Sequence, residues 1–356
     1  MIRALQSAWR RWFGQAETER PDMPEETPAH TALAEPGPAP LDPPAPPSAT
    51  LPVWKPALPI NAMYVEWLLG DSDTHGAADG EQKVLLALYS LLASDLNESV
   101  VVPRMPAIIP QLLACMRQDL SAAQDLIRLI AKDAALPNEV INTVNNALYN
   151  PADRINNLDS AVLMLGEEGL RYVIGKVAFR PIVSQHGGRY MRRAAPHIWS
   201  QSEKCALACR ELTTPDAGFS PFLAFLTGLM NQVGLIIVFR LLDQQTGEQP
   251  FRYGASFHLA VSAVAATLSY RIARRWNFPE QVINALQQQA GGRQVEWTPL
   301  GCLLHNADLI SKMRLLYDHG RIVRPDHRIK TGLNAEEARC FDALPQLPLF
   351  ELKPDA

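Results

Sequence analysis

The sequence predicts an all-α protein, a multi-helix domain preceded by a disordered proline-rich segment. Three observations lead to that class. From about residue 97 onward, apolar residues recur at helical spacing in one segment after another, and alternating strand patterns are few. Residues that start and stop helices stand where those periodicities begin and end. No G-x-G-x-x-G or P-loop stretch accompanies them, which argues against the βα nucleotide-binding classes. With 356 residues and 47% apolar composition, the chain can fill one large core or two ordinary ones.

The first element is residues 1–14, MIRALQSAWRRWFG. At about 100° per residue, Ile2, Leu5, Trp9, Trp12 and Phe13 share one arc, and Arg3, Arg10 and Arg11 lie outside it. Two roles stay open for this amphipathic unit. It lies on an anionic membrane surface or in a partner's groove, or it folds back on the protein itself; a short helix binds weakly without a second anchor. Residues 15–57 follow as a linker, crowded with proline (PGPAPLDPPAPPSATLP) and without hydrophobic period. Proline removes backbone donors and favours extended chain, so this segment is expected to act as a tether.

Residues 58–96 read as two accessory helices, INAMYVEWLL (60–69) and EQKVLLALYSLLASDL (81–96), separated by the loop GDSDTHGAADG. The domain proper is expected over 97–310. Ser121 and Gln124 form a capping box that opens DLIRLIAKDAAL, with Leu126, Ile127, Leu129 and Ile130 as its buried stripe. Asn157 caps a helix through LDSAVLMLG, and Gly166 is a natural stop. Residues 311–356 are taken as a C-terminal extension. No internal repeat is found.

A net charge of −4 supplies no basic field, so no nucleic-acid partner is expected. The stretch KVAFRPIVSQHGGRYMRR (176–193) gathers positive charge beside a Gly-Gly loop, as a phosphate or acidic-partner contact or as a solvated loop. The five cysteines, Cys115, Cys205, Cys209, Cys302 and Cys340, contain no C-x-x-C pair, which argues against a disulfide framework or a zinc site. No uninterrupted apolar run reaches the roughly 18 residues of a membrane-spanning helix, and the N-terminus lacks a signal-peptide pattern. The expected location is the cytoplasm, with the N-terminal unit as the one candidate for peripheral contact at the inner membrane surface.

The order of several segments carries a family resemblance. VPRMP (102–106), KDAAL (132–136), VNNALYN (144–150) and INNLDSAVLMLGEEGLRYVI (155–174) are followed by HIWSQSEKCALACREL (197–212), FLAFLTGLMNQVGLIIV (222–238) and RRWNFPEQVINALQQQ (274–289). In this order they resemble the HDOD family, degenerate relatives of the HD phosphohydrolases, over roughly residues 97–310. Two departures are Ala134, where the family favours proline, and Asn146, where it favours serine.

The resemblance also locates a site. In the HD phosphohydrolases a His-Asp pair, an upstream His and a downstream Asp hold a divalent metal, which lowers the pKa of bound water. Carried over position by position, the upstream His falls on Gln201 and the His-Asp pair falls on Asn231 and Gln232, between Gly228 and Gly234. The downstream Asp falls on Asp308. The family's late His pair falls within Gln287, Gln288 and Gln289. Amides supply no charge to balance a metal, so the resemblance implies no metal, no cofactor and no catalysis.

Two outcomes stay open for the refilled pocket: the amides bond among themselves, or they bind a small polar ligand such as a nucleotide through Asn231 and Gln232. A third alternative is a phosphohydrolase with an unusual ligand set, recruiting His305 or His258 around Asp308. The expectation adopted is a non-enzymatic bacterial signalling protein that binds other, unidentified signalling proteins.

Overall fold

The computed structural model describes residues 53–70, 78–96, 99–106, 108–117, 130, 136–145, 154–183, 187–247, 253–291, 297–322 and 328–345. The amphipathic unit with Ile2, Leu5, Trp9, Arg10, Arg11, Trp12 and Phe13, and the capping box of Ser121 and Gln124, lie outside these residues. Among the described residues the chain forms twelve α-helices, one 3-10 turn and no strand. They are α1 (Ile60–Leu69), α2 (Ala78–Ala93), α3 (Ile108–Arg117), α4 (Leu136–Val144), α5 (Leu158–Phe179) and the turn Arg180–Val183. Then come α6 (Arg189–Glu211), α7 (Pro221–Asn231), α8 (Val233–Thr246), α9 (Ala255–Arg275), α10 (Glu280–Gln289), α11 (Pro299–Asp318) and α12 (Ala335–Ala343).

Local chemistry accounts for several of these boundaries. The Asn157 side chain accepts the Ser160 N–H at 2.8 Å, capping α5 where the sequence places the cap. Gly166 then adopts φ 62°, ψ −177°, breaking α5 into two helical segments at the expected stop. Ser220 and Thr298 cap α7 and α11, each followed by a proline that needs no amide partner. Asn334 and Glu337 form a reciprocal capping box at α12.

One buried apolar cluster runs from Trp54 to Leu344. Its centre is the pair α7 and α8. By length and composition the stretch Pro221–Thr246 could cross a membrane, with an 18-residue window of mean hydropathy 2.0, but 94% of that window is buried inside the protein. α6 packs on α7, α11 crosses α6, α9 lies along α8, and α1 is held between α9 and α11. Two glycines permit these approaches. A Cβ on Gly228 would lie 2.6 Å from the Ala206 backbone of α6, and one on Gly234 would lie 1.9 Å from the Ala265 carbonyl of α9.

Two expected boundaries do not describe the folded unit. The linker is expected to run to residue 57, yet Trp54 is 5% exposed within the core. Its backbone N–H donates to Asn306 Oδ1 at 2.9 Å and its indole N–H to the Thr331 carbonyl at 3.1 Å. A large indole gains more by burial than flanking prolines lose, so the core begins before the proline composition fades. At the other end, α11 runs straight through residue 310, the expected end of the domain. Asn306 joins both ends to the core, because its amide also donates to Glu337 of α12 at 2.7 Å.

Candidate functional site

Three of the four positions singled out in the sequence converge in the interior. Gln201 lies on the inner stripe of α6 with Ile198, Ser202, Cys205 and Cys209, and is 0% exposed. Gln232 is the single residue between α7 and α8, and Asp308 lies on α11. Asp308 Oδ1 accepts from Gln232 Nε2 at 2.7 Å and from Gln201 Nε2 at 3.2 Å. The Gln201 amide also reaches Ser311 Oγ at 2.9 Å and the Asp308 carbonyl at 3.2 Å. Its Oε1 is buried and makes no hydrogen bond.

The remaining carboxylate oxygen faces a residue that sequence reasoning missed. Lys312, one turn along α11, places Nζ 2.5 Å from Asp308 Oδ2. The same ammonium donates to Asn61 Oδ1 of α1 at 2.8 Å and lies 5.6 Å from the centre of the Tyr64 ring. Its three N–H groups therefore have a carboxylate, an amide and an aromatic face to meet. Burial, with the Asp308 charge adding to it, holds the Tyr64 phenol well above its usual range. It stays neutral and donates to the His197 carbonyl at 3.3 Å.

Asn231, the fourth position, contributes backbone. Its carbonyl accepts from Ser269 Oγ at 2.7 Å, and that hydroxyl accepts the Gly234 N–H at 2.9 Å. One serine of α9 thus satisfies both groups freed by the break between α7 and α8. The late glutamines serve the α10–α11 corner. Gln288 Oε1 accepts from the Thr298 amide at 3.2 Å and its hydroxyl at 3.1 Å, and Gln289 Nε2 donates to the Gly301 carbonyl at 3.0 Å.

His305 Nε2 lies 3.1 Å from the Trp54 carbonyl, so it donates there and ties the N-terminal segment down. His258 lies on α9 and is buried. Among the described residues, no three His, Cys, Asp or Glu side chains come together as a metal-binding group. Within 176–193, Lys176 pairs with Glu203 at 2.5 Å and Arg180 with Glu139 at 2.6 Å, and the Arg192 and Arg193 guanidiniums donate to the Gly187 and Trp67 carbonyls. Cys205, Cys209, Cys302 and Cys340 are buried free thiols. A hydrogen bond to Cys209 and burial push the Cys205 thiol up, and burial pushes Cys340 to about 12. Such groups are poor nucleophiles.

As a donor set for a divalent ion, these residues do not fit. One carboxylate is available, two amide N–H groups already point at it, and an ammonium occupies the place of balancing positive charge. The arrangement instead braces four elements, α1, α6, the α7–α8 junction and α11, around one buried ion pair.

Comparison with known proteins places the chain. The HDOD domain model matches residues 102–291, more than half of the sequence. This chain belongs to the HDOD domain family. An HDOD domain protein with unknown function from Geobacter sulfurreducens is 16% identical, with coverage of 76% of this chain and 99% of that one at a TM-score of 0.49. A protein of Marinobacter aquaeolei VT8, provisionally named for signal transduction, is 15% identical over 77% of this chain and 65% of its own, with a TM-score of 0.50. Likeness at these identities concerns the fold. An uncharacterized protein of Treponema pallidum is 23% identical over 198 residues, 52% of this chain. That stretch is 37% of the Treponema protein, so the chain spans little more than a third of the curated relative it matches.

The HDOD match ends at Gly291, before Asp308 and Lys312, and begins after Asn61 and Tyr64. Asp308, Ser311, Lys312, Asn61 and Tyr64 therefore come from helices outside the matched region. In the sequence, the family resemblance marked Asp308, and the i,i+4 spacing from Asp308 was the signal for Lys312.

Proposed function

We propose that this HDOD chain is a non-catalytic signal-transduction protein of the cytoplasm, acting by binding other proteins through its helical surface. The observation that carries the proposal is the closed valence of Asp308. Both of its oxygens are committed, to Gln201 and Gln232 on one side and to Lys312 on the other, in a group only 7% exposed. A hydrolase of this ancestry needs that carboxylate on a metal and a route for water to reach it. Here it stabilises the fold instead.

A nucleotide in the same pocket would require Gln232 to release Asp308 and leave a buried carboxylate short of donors. The ligand-sensing alternative therefore lacks support at this position. Recruitment of His258 and His305 around Asp308 fares no better, because His305 is engaged with Trp54 and the described residues form no such cluster.

The seat of function then moves to the surface. Leu86 on α2 and Leu259 on α9 are 55% and 58% exposed on helices that pack together, and Leu163 on α5 is 78% exposed. These apolar side chains offer contacts of the kind found in protein interfaces. The N-terminal unit and tether would set where the domain acts.

Affinity capture from the native host tests this with the full chain, a chain starting at residue 51 and the variants Leu86→Glu and Leu259→Glu. Cutting at 51 keeps Trp54 in the core. The proposal expects stoichiometric partners that the surface variants lose, and altered localisation on removal of the tether. Partners and localisation unchanged in every variant would refute it.

A further inference from the structure

An open cleft of about 500 Å³ lies beside the C-terminal half of α8, lined by Val100, Val101, Gly187, Gly188, Arg240 and Asp243, with Gln244 and Gly247. Its wall carries the guanidinium of Arg240. Arg240 donates through Nη1 to the Val101 carbonyl at 3.4 Å and through Nη2 to the Ile182 carbonyl at 3.1 Å. Among the described residues, no carboxylate comes within 4 Å of it.

Asp243, one turn further along α8, is otherwise engaged. Its oxygens accept the backbone N–H groups of Tyr190 at 2.8 Å and Met191 at 3.0 Å, at the start of α6. The start of α6 is thereby closed, and Asp243 is not the counterion of Arg240.

We propose that this cavity binds the oxyanionic group, phosphoryl or carboxylate, of a small metabolite, with Arg240 as the anchor. A guanidinium has five N–H donors, and two are used here, which leaves three uncommitted. Carbonyls from two different segments fix its plane, so it is pre-organised for two-pronged recognition of an oxyanion. Burial alone depresses its basicity, with no neighbouring carboxylate acting against that, and a bound anion would offset the desolvation. The cavity volume falls within the range usual for small-molecule sites, larger than a bare ion needs. Gln244 supplies a further donor and acceptor for the remainder of the molecule. The Gly-Gly loop in the basic stretch 176–193, which the proposed function leaves unused, forms one rim.

The test is a titration of the full chain, labelled with ¹⁵N-glycine, with inorganic phosphate and separately with acetate at constant ionic strength. The proposal expects saturable shifts of the Gly187 and Gly188 amide signals with at least one probe. The probe that binds identifies phosphoryl or carboxylate as the preferred group. Gln244→Glu should weaken that binding tenfold or more, because it places an internal counterion beside Arg240 without touching the Val101 and Ile182 bonds. Arg240→Gln should do the same, and if it fails to fold, Gln244→Glu decides. No saturable shift with either probe, or unchanged affinity in Gln244→Glu, would overturn the proposal.

Discussion

Replacing Lys312 with methionine removes the ammonium, with its bonds to Asp308 and Asn61, and keeps most of the side chain. The methionine fills most of the same volume, but the Asp308 carboxylate, with its side chain 10% exposed, keeps only the Gln201 and Gln232 amides. Breaking a buried ion pair from one side costs about 3–5 kcal/mol. Two donors remain on Oδ1, which places this case at the lower end, about 3 kcal/mol. In a domain of this size that corresponds to a fall in Tm of roughly 6–12 °C. The companion variant Asp308→Asn removes the charge on the other side. In the double variant no charge is stranded, so the two effects should fall short of additivity by about 2 kcal/mol. Urea unfolding followed by helical circular dichroism gives each free energy from its midpoint and slope. A Lys312→Met protein as stable as the wild type, or strict additivity in the double variant, would refute the view of Lys312 as the built-in counterion.

Ser269→Ala should strand the Asn231 carbonyl and the Gly234 N–H inside the core, at a cost of about 2–4 kcal/mol by the same urea assay; a loss under about 0.5 kcal/mol would count against it. The pH dependence follows from His197, His258 and His305, each held below the usual imidazole range mainly by burial. Below about pH 6.5 the unfolded chain takes up protons that the folded chain refuses, so stability is full above that pH and falls as pH drops through it. The urea midpoint should be lower at about pH 5.5 than at about pH 7.5, and a midpoint equal or higher at the acid pH would contradict this.

Much of this was legible in the sequence because it depends on short-range chemistry. The Asn157 cap and the Gly166 break follow from residue types at fixed spacing, and the all-α class follows from periodicity. The convergence of Gln201, Gln232 and Asp308 followed from the order of motifs in the family resemblance. Asn231 was placed with them, and its contribution turned out to be its carbonyl, which side-chain reasoning does not address. Lys312 was within reach, since a lysine four residues after an aspartate on one helix is a standard pair. Asn61 and Tyr64 were not, because their contact with α11 spans most of the chain and is fixed only by tertiary packing. Trp54 was hidden by composition. A single large apolar residue in a proline-rich stretch has no periodicity to reveal that it is buried.

The central proposal is that Asp308 and Lys312 form a structural ion pair at the place where the family resemblance locates a metal site. Metal analysis of the full chain tests it most directly. Protein purified, incubated with Mn²⁺, Fe²⁺ or Zn²⁺ and passed through gel filtration is predicted to retain no stoichiometric metal and to hydrolyse no phosphodiester. Retention of about one equivalent of metal, lost together with hydrolytic activity in Asp308→Ala, would contradict the account.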